Sequence, residues 1–378
     1  MGGRCAHAAR ALNAHAAPPR GDSARAAVPI VDVSALFHPP CAARDATDAA
    51  ILAAAGDIGF VTIVGLPASV PLGRAARADL LRIFALEPSV LRSLWRRKFA
   101  AQNPNVYRGW FPVQPGNLTS KEGIDLGADV AYGAAVTDAD DPLREPTPLP
   151  AESLLPEWHS AVAAYYTGME GVCAALMRSI ARSLGLEERF FDSAFHRGLS
   201  TLRLLRYPVR SAEELASCAD PGVWVSHGGA RQYVIGAAHT DSGFMTLLAQ
   251  DGVPGLQARG RDASWVDVPP DERALAVNFG QVLERWSGGR IKATEHRVLG
   301  TGQERHSIPF FYEARADAEI RPLPIDDPNS FEPFLYGDYL WARIVNFVEF
   351  RGMEAMRTPM RSEPAPLPAD PSTRHVKT

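Results

Sequence analysis

A histidine and an aspartate lie two positions apart in the run AAHTDSG, as His239 and Asp241. The preceding run RQYVIGAAH is typical of a strand, and strand side chains two apart point to the same face. His296, in KATEHRVL, is far enough along the chain for a jelly roll to cross its other sheet and return a strand beside the first. Two imidazoles and one carboxylate leave three adjacent metal positions open, the ligand set associated with non-haem iron(II). Those positions suit a bidentate 2-oxo acid and one oxygen molecule, although an HxD pair alone is more often an ordinary polar pair.

Arg305 and Ser307 follow His296 closely and are again two positions apart, so they share a strand face. A guanidinium beside a hydroxyl is suited to hold a carboxylate. A surface arginine on a barrel rim is the simpler interpretation of Arg305 by itself. The joint spacing of the five residues favours a carboxylate site, which would hold the far end of 2-oxoglutarate while its keto-acid end meets the iron.

The elements that position these residues are predicted by periodicity. The first half reads as a strand from Val28, a helix over 42–58, a strand ending at Pro67, and helices over 71–86 and 87–99. The segment from Asn103 to Pro156 is rich in Gly, Pro, Asn and Asp, and it predicts loops and turns. Apolar residues then recur at three- and four-residue steps over 156–184, which predicts one long amphipathic helix ending at Gly185.

After Ser200 the apolar period changes to two, in about seven short runs separated by Gly, Pro, Asp or Ser. This pattern predicts an antiparallel barrel or jelly roll rather than βαβ units. The run SGG at 287–289 is interpreted as a strand-to-strand turn, and a further helix is predicted over Tyr336–Met356. The predicted organisation is a disordered leader or organelle transit peptide (1–27), an α/β region packing on the core (28–199), the β core (200–315), a helical segment (316–357) and a disordered tail (358–378).

Composition excludes several classes of partner. The chain has 378 residues, a hydrophobic fraction of 46% and a formal net charge of -4, so neither nucleic acid nor an anionic membrane is an expected partner. Its four cysteines form no CxxC pair, which argues against a zinc knuckle or a disulfide framework and favours a reducing compartment. No uncharged apolar run is long enough to span a bilayer. We expect a cytoplasmic monomer or weak homo-oligomer that acts on a small molecule, with organelle import left open by the leader.

Several motifs in the expected order resemble the isopenicillin N synthase-like family of iron(II)/2-oxoglutarate-dependent dioxygenases. They are LRLLRYP, AAHTDSGFMTLLAQD, VPGLQ, ALAVNFGQVLERWSGGRIKATEHRV and RHSIPFFYEA, preceded by VPIVDVS, GFVTIVGLP, YRGWFP and KEGIDLG. The resemblance covers about residues 28–350. It implies a mainly β fold, a distorted double-stranded β-helix (jelly roll, cupin-like) flanked by helices. It also implies that a small molecule is hydroxylated, desaturated or cyclised while 2-oxoglutarate becomes succinate and CO2.

Residue by residue, the resemblance assigns iron to His239, Asp241 and His296, and 2-oxoglutarate to Arg305 and Ser307. Tyr207, in RYP, matches a tyrosine that bonds the co-substrate or substrate in relatives, although packing beside Pro208 remains an alternative. The substrate contacts we predict are Tyr107, Arg108, Trp110, Phe111, Tyr233 and Phe311. Arg108 is open to two interpretations, a partner for a substrate carboxylate or an ordinary surface arginine, and KEGIDLG can equally be a structural turn.

Three rival hypotheses remain at this stage. An isopenicillin N synthase-type oxidase would use iron and oxygen without 2-oxoglutarate, and it would keep the same Arg305 and Ser307 pattern. A non-catalytic metal-binding jelly roll is disfavoured because the three ligand positions and the arginine–serine pair are all intact. A zinc hydrolase is disfavoured because no separate general base stands near the HxD pair.

Overall fold

The computed structural model describes residues 27–326, 330–347 and 349–361. The predicted leader up to residue 26 and the predicted tail beyond Arg361 lie outside these ranges. Residues 358–361, assigned above to the tail, contact a C-terminal helix, where the amides of Met360 and Arg361 donate to Asp338. No helix within the described ranges is long and apolar enough to cross a membrane.

The described chain contains short helices and strands around one long helix. The α-helices are α1 (Ala42–Asp57), α2 (Arg74–Leu81), α3 (Pro88–Ser93), α4 (Asp129–Tyr132), α5 (Trp158–Ser183), α6 (Asp192–Phe195), α7 (Ala212–Ser217), α8 (Gln281–Trp286) and α9 (Tyr336–Ile344). The strands are β1 (Ile30–Asp32), β2 (Phe60–Val64), β3 (Gly109–Phe111), β4 (Glu122–Leu126), β5 (Thr201–Tyr207), β6 (Trp224–His227), β7 (Ala230–His239), β8 (Met245–Gln250), β9 (Leu256–Arg259), β10 (Trp265–Asp267), β11 (Leu275–Phe279), β12 (His296–Gly300), β13 (Arg305–Tyr312), β14 (Glu319–Ile320) and β15 (Phe334–Leu335).

Two facing sheets form the core. The larger has eight strands in the order β1-β2-β11-β8-β13-β5-β4-β3, and the smaller has five in the order β10-β9-β12-β7-β6. Apart from the parallel β1–β2 pair, neighbouring strands are antiparallel. Leu205 of the larger sheet and Ile235 and Val298 of the smaller belong to one buried apolar cluster, which places it between the sheets. This is the predicted jelly roll with flanking helices.

Strand register separates the larger sheet into two chemically different faces. Arg305 lies opposite Tyr207, and Ser307 lies opposite Leu205 and Gln250, so these residues point between the two sheets. The opposite, outer face carries apolar side chains, and helix α5 packs on it; the Tyr166 and Phe310 rings, for example, lie 5.0 Å apart. The outer face therefore holds the main apolar core, while the inner face is free to carry polar groups.

The long helix and the β-rich second half are confirmed. The predicted helix over 156–184 is α5, with a buried apolar side, and the predicted helix over 42–58 is α1. Each of the seven period-two runs after Ser200 contains a strand. The short strands β6, β9, β14 and β15 were not predicted.

The prediction of loops alone between Asn103 and Pro156 is wrong. This segment contains β3 and β4, which extend the larger sheet beyond β5. The run KEGIDLG is thus mainly a strand, in which Gly123 is needed because a Cβ there would lie 2.3 Å from the carbonyl oxygen of Leu204. Pairing with β5 stabilises this strand, and a tertiary contact of that kind leaves no local pattern.

Three other boundaries differ from prediction. The helix predicted over 87–99 ends at Ser93, because Trp95 forms a β-bridge with Trp110. The run SGG follows α8 rather than a strand, since buried Val282, Leu283 and Trp286 have helical spacing. The helix predicted to reach Met356 ends at Ile344, where the Asn346 amide donates back to two preceding backbone carbonyls.

Candidate active site

The two sheets bring two histidines and one aspartate together. His239 ends β7 and His296 begins β12, and the two residues are direct cross-strand partners with ring centroids 4.3 Å apart. Asp241 lies just beyond the end of β7. Its Oδ1 is 3.7 Å from His239 Nε2 and 3.8 Å from His296 Nε2, and one ligand atom from each residue lies within 4.8 Å of the others. These separations are too long for direct hydrogen bonds and leave room for an ion between the three groups.

Each of the three side chains is oriented by its second polar atom. His239 Nδ1 lies 2.8 Å from the carbonyl oxygen of Ala237, and His296 Nδ1 lies 3.1 Å from that of Thr294. A carbonyl can only accept, so both Nδ1 atoms carry the proton and both Nε2 lone pairs face the centre.

The aspartate is held in the same way from the larger sheet. Thr246 Oγ1 donates to Asp241 Oδ2 at 2.6 Å, and Asn278 Nδ2 donates to the same oxygen at 2.7 Å. The other oxygen, Oδ1, therefore faces the point between the three ligand groups. Thr246 and Asn278 are cross-strand partners on β8 and β11, which fixes both donors on one side of the carboxylate.

Burial and mutual charge set the protonation of the triad. Burial, and then the neighbouring His296, lower the pKa of His239 to about 4, so its imidazole is neutral near pH 7. Burial alone would raise the pKa of Asp241, but His296, His239 and the donors Thr246 and Asn278 outweigh it, and the pKa falls below its usual value. A neutral imidazole and an ionised carboxylate are the forms that bind a metal.

Arg305 is buried with most of its hydrogen-bonding capacity unused. Its side chain is 1% exposed, and Nη2 donates to Gln250 Oε1 at 3.2 Å. Nε and Nη1 are buried and have no hydrogen-bond partner among the described residues. Ser307 is on the same face, and the Tyr207 ring lies with its centroid 5.2 Å from the guanidinium carbon. Buried donors are normally satisfied, so this pair of unused N–H groups fits a bound carboxylate.

A pocket of about 110 Å³ reaches the triad at His239 and Asp241. Two predicted substrate contacts, Tyr107 and Phe311, line it. Its other side chains come from the sheet edge, from the segment after Asp241 and from the C-terminal segment: Lys121, Thr201, Arg203, Ser242, Phe244, Met245, Thr246, Glu313, Leu340, Ile344, Phe347, Glu349 and Phe350. Sequence reasoning missed this set. The signal for Arg203 was available, because a charged residue at an inward position of the run TLRLLRY needs a partner inside the barrel.

Arg108 is not an exposed surface arginine. It is buried, and its guanidinium donates to Thr201 Oγ1 at 2.6 Å and to the carbonyl oxygens of Leu199 and Leu143 at 3.1 and 3.4 Å. It also lines a wider cleft of about 640 Å³ that none of the triad residues reaches. Its interactions tie loops to the start of β5, and it does not itself line the pocket that reaches the triad. Its contact with substrate stays a prediction.

The other three predicted substrate contacts also lie outside the pocket. Trp110 points to the outer face of the larger sheet, where its ring packs 5.2 Å from that of Phe84. Phe111 is on the inner face but packs beneath the guanidinium groups of buried arginines. Tyr233 lies on the smaller sheet against Trp224, and its hydroxyl accepts from the Gly302 amide.

Glu313 is a buried acid on the pocket wall. Its carboxylate accepts a short hydrogen bond from the Tyr336 hydroxyl, and its backbone amide donates to Ser200 Oγ. Burial raises the pKa of Glu313 to about 8, in spite of the lowering effect of the Tyr336 hydrogen bond. Below that pH the side chain is a neutral acid and adds no charge to the pocket.

Comparisons with known proteins agree with this geometry. The family model of the 2OG-Fe(II) oxygenase superfamily matches residues 199–314, the range that contains the triad, Tyr207, Arg305 and Ser307. The chain is 30% identical over 310 residues to the 2-oxoglutarate-dependent dioxygenase citB of Monascus ruber, covering 78% of this chain and 87% of that protein. It is 29% identical to the isopenicillin N synthase of Streptomyces clavuligerus, covering 83% of this chain and 93% of the relative.

A solved structure shows the same architecture. The crystal structure of Neurospora crassa T7H in complex with alpha-KG superposes with a TM-score of 0.69 at 25% identity, over 84% of this chain and 95% of that one. The double-stranded β-helix predicted from the motifs is thereby confirmed. The chain belongs to the 2OG-Fe(II) oxygenase superfamily and is an iron(II)- and 2-oxoglutarate-dependent dioxygenase.

Proposed function

We propose that His239, Asp241 and His296 hold the iron(II) ion, and that Arg305 holds the far carboxylate of 2-oxoglutarate with help from Ser307 and Tyr207. The enzyme then oxidises a C–H bond of a small molecule in the adjoining pocket, by hydroxylation, desaturation or ring closure, with release of succinate and CO2. The observation that carries this proposal is the pairing of a three-atom donor set with a buried arginine whose Nε and Nη1 have no partner among the described residues.

The donor set fits iron(II) chemically. Two neutral imidazole nitrogens and one carboxylate oxygen leave positions for a chelating keto acid and for oxygen. When bound, the iron supplies the oxygen-activating redox chemistry. The chain's own residues orient the ligands: Ala237 and Thr294 fix the imidazole tautomers through their carbonyl groups, and Asn278 holds the outer carboxylate oxygen.

The alternative without 2-oxoglutarate has less support. The Streptomyces clavuligerus relative is an isopenicillin N synthase, but the citB relative is described as 2-oxoglutarate-dependent and the T7H structure contains alpha-KG. An arginine with two unused buried donors also favours a carboxylate ligand.

A small substrate is favoured by the size of the pocket. A pocket of about 110 Å³ suits a small molecule better than a segment of a polymer. Neurospora crassa T7H has been crystallised with thymine and with 5-formyluracil, which are single-ring molecules. We propose a substrate of comparable size rather than a macromolecule.

Assembly and location complete the proposal. We expect a monomer or weak homo-oligomer. Cys41, Cys173 and Cys218 are free thiols, which supports a reducing compartment such as the cytoplasm. The organelle-import alternative depends on residues outside the described ranges.

The test is anaerobic titration of the iron(II)-loaded protein with 2-oxoglutarate, followed by oxygen and measurement of succinate from labelled co-substrate. We expect a weak visible metal-to-ligand band and substrate-stimulated succinate release. His239→Ala should abolish both, whereas His227→Gln, a half-buried histidine paired with Asp267 on the smaller sheet, should leave both intact. Equal behaviour of the two variants, or a wild-type protein that gives neither band nor succinate, would rule the proposal out.

A further inference from the structure

A buried group of charges lies behind the pocket wall. Asp125 is fully buried on β4 and accepts from two guanidinium groups, those of Arg203 on β5 and of Arg96. Arg203 Nε and Nη2 bind its two oxygens at 2.5 and 2.7 Å, and Arg96 Nη2 binds Oδ2 at close range. We call these three residues the Asp125 cluster. Two cations share one anion, so the cluster carries one excess positive charge.

The protonation of the cluster supports this count. Burial alone would raise the pKa of Asp125, but Arg203 and Arg96 outweigh it and hold the pKa at about 2. Nε and Nη1 of Arg96 are buried and have no hydrogen-bond partner among the described residues. An excess charge held out of water is unfavourable unless an opposite charge comes close.

Arg203 presents this excess charge to the pocket. Its guanidinium carbon lies 5.3 Å from the Phe111 ring centroid and 5.2 Å from that of Phe311, so two aromatic rings fix its orientation. Nε and Nη2 are used by Asp125, and in the described parts of the chain no residue hydrogen-bonds to Nη1. Arg203 lines the same pocket as His239 and Asp241. It is therefore a donor that is positioned before any ligand arrives.

The remaining charges of the wall do not cancel the excess. Lys121 Nζ lies 3.3 Å from Glu349 Oε1, which makes a balanced pair. Burial favours the neutral form of Glu349, yet Lys121 and Arg203 hold its pKa at about 2, so it stays ionised. Glu313 is buried and accepts from the Tyr336 hydroxyl, and its burial favours the neutral form, while the charge of Asp241 is assigned to the metal. The pocket keeps a net charge of about plus one.

We propose that the substrate is a small monoanion, a molecule with one carboxylate, and that Arg203 and Lys121 bind this carboxylate in the pocket that His239 and Asp241 also line. The inference rests on the proposed function and names its substrate class. One carboxylate matches one excess charge, whereas a phosphate dianion would leave a negative charge without a partner. The pocket of about 110 Å³ favours a small substrate.

The experiment compares benzoate with benzamide, which have nearly the same shape and differ in charge. Protein is first saturated anaerobically with iron(II) and 2-oxoglutarate, so that Arg305 is occupied, and each probe is then titrated by calorimetry. We expect benzoate to bind at least tenfold more tightly than benzamide. Lys121→Gln should weaken benzoate binding roughly tenfold, and Glu349→Gln should strengthen it severalfold. The affinity for benzamide should be unchanged in both variants. Arg203→Gln should remove the preference for the anion.

The outcomes distinguish a failure of the proposed function from a failure of the monoanion inference. Absence of the visible band before any probe is added would count against the proposed function. A normal band with equal affinities for benzoate and benzamide, or with parallel shifts of both probes in Lys121→Gln and Glu349→Gln, would overturn the monoanion inference alone. If Arg203→Gln does not fold because Asp125 loses a partner, the other two variants still decide, since they alter the charge of the wall and leave the Asp125 cluster intact.

Discussion

Replacing Arg305 by methionine should weaken 2-oxoglutarate binding without lowering the free energy of unfolding. Methionine keeps the length of the side chain and removes its charge. Among the described residues, Arg305 donates to Gln250 alone and its guanidinium lies over the Tyr207 ring, while two of its donors have no partner. Removing a buried charge without a salt-bridge partner is expected to be neutral or to raise the free energy of unfolding by about 1–4 kcal/mol.

The same substitution should strongly weaken the binding of 2-oxoglutarate. A carboxylate on Nε and Nη1 would make two charge-assisted hydrogen bonds, worth roughly 1.5–3 kcal/mol each. Their loss corresponds to a Kd for 2-oxoglutarate about 10²- to 10⁴-fold higher. The visible band in the anaerobic titration gives this Kd directly, and urea unfolding of the metal-free protein gives the stability.

Arg77→Met is the matched control. Arg77 is also buried, but its Nη1 and Nη2 donate to the backbone carbonyls of Gln250 and Glu272. Its loss leaves buried acceptors unpaired, so the variant should be less stable and should bind 2-oxoglutarate normally. The proposed role of Arg305 is refuted if Arg305→Met loses stability as Arg77→Met does, or if it binds 2-oxoglutarate with the wild-type Kd.

Three further substitutions test the surroundings of the site. Asn278→Ala should weaken iron(II) binding about 10- to 100-fold, because the Asn278 amide orients Asp241. Competition with a chelator measures this affinity, and an unchanged value would mean that the amide is dispensable. In metal-free protein the free energy of unfolding should fall by up to roughly 5 kcal/mol as pH rises from 4.5 through 8, because folded Glu313 keeps a proton that the unfolded chain releases. Glu313→Gln should flatten that part of the urea-measured profile, and an unchanged slope would contradict the buried neutral acid. Gly243→Ala should lower the free energy of unfolding by about 1–3 kcal/mol, because the added Cβ would lie 2.5 Å from Glu313 Oε2. This loss should be smaller in a Glu313→Ala background, and additive losses would exclude the clash.

The metal site could be predicted from sequence because its geometry is local. His239 and Asp241 lie at one strand end, and His296 begins the strand that pairs with it, so period-two alternation and a familiar motif order were enough to bring them together. Arg305 and Ser307 follow the same rule on β13, where alternation fixes a shared inward face. These positions depend on backbone register, which the apolar pattern encodes.

The substrate pocket could not be predicted in this way. Its wall includes Lys121, just before β4, and Glu349, from the turn after α9, and these residues meet only because distant segments pack together. Trp110 and Phe111 looked equivalent as aromatic neighbours, yet they point to opposite faces of the sheet because β3 is a strand. The face to which a side chain points cannot be predicted when the strand that carries it is predicted to be a loop.

The two faces of the larger sheet divide stability from function. Its outer face packs apolar side chains against α5, and this core is large enough to tolerate an inner face that carries Arg203 and Arg305. Each of these arginines keeps hydrogen-bonding capacity that no described residue uses, so the ligand-free fold contains charge that a ligand must neutralise. Binding of 2-oxoglutarate and of an anionic substrate therefore supplies missing contacts as well as reactants, and both should stabilise the folded state in proportion to their occupancy. A barrel with an inner face as apolar as the outer one would be more stable on its own, but it would give neither carboxylate a charged partner.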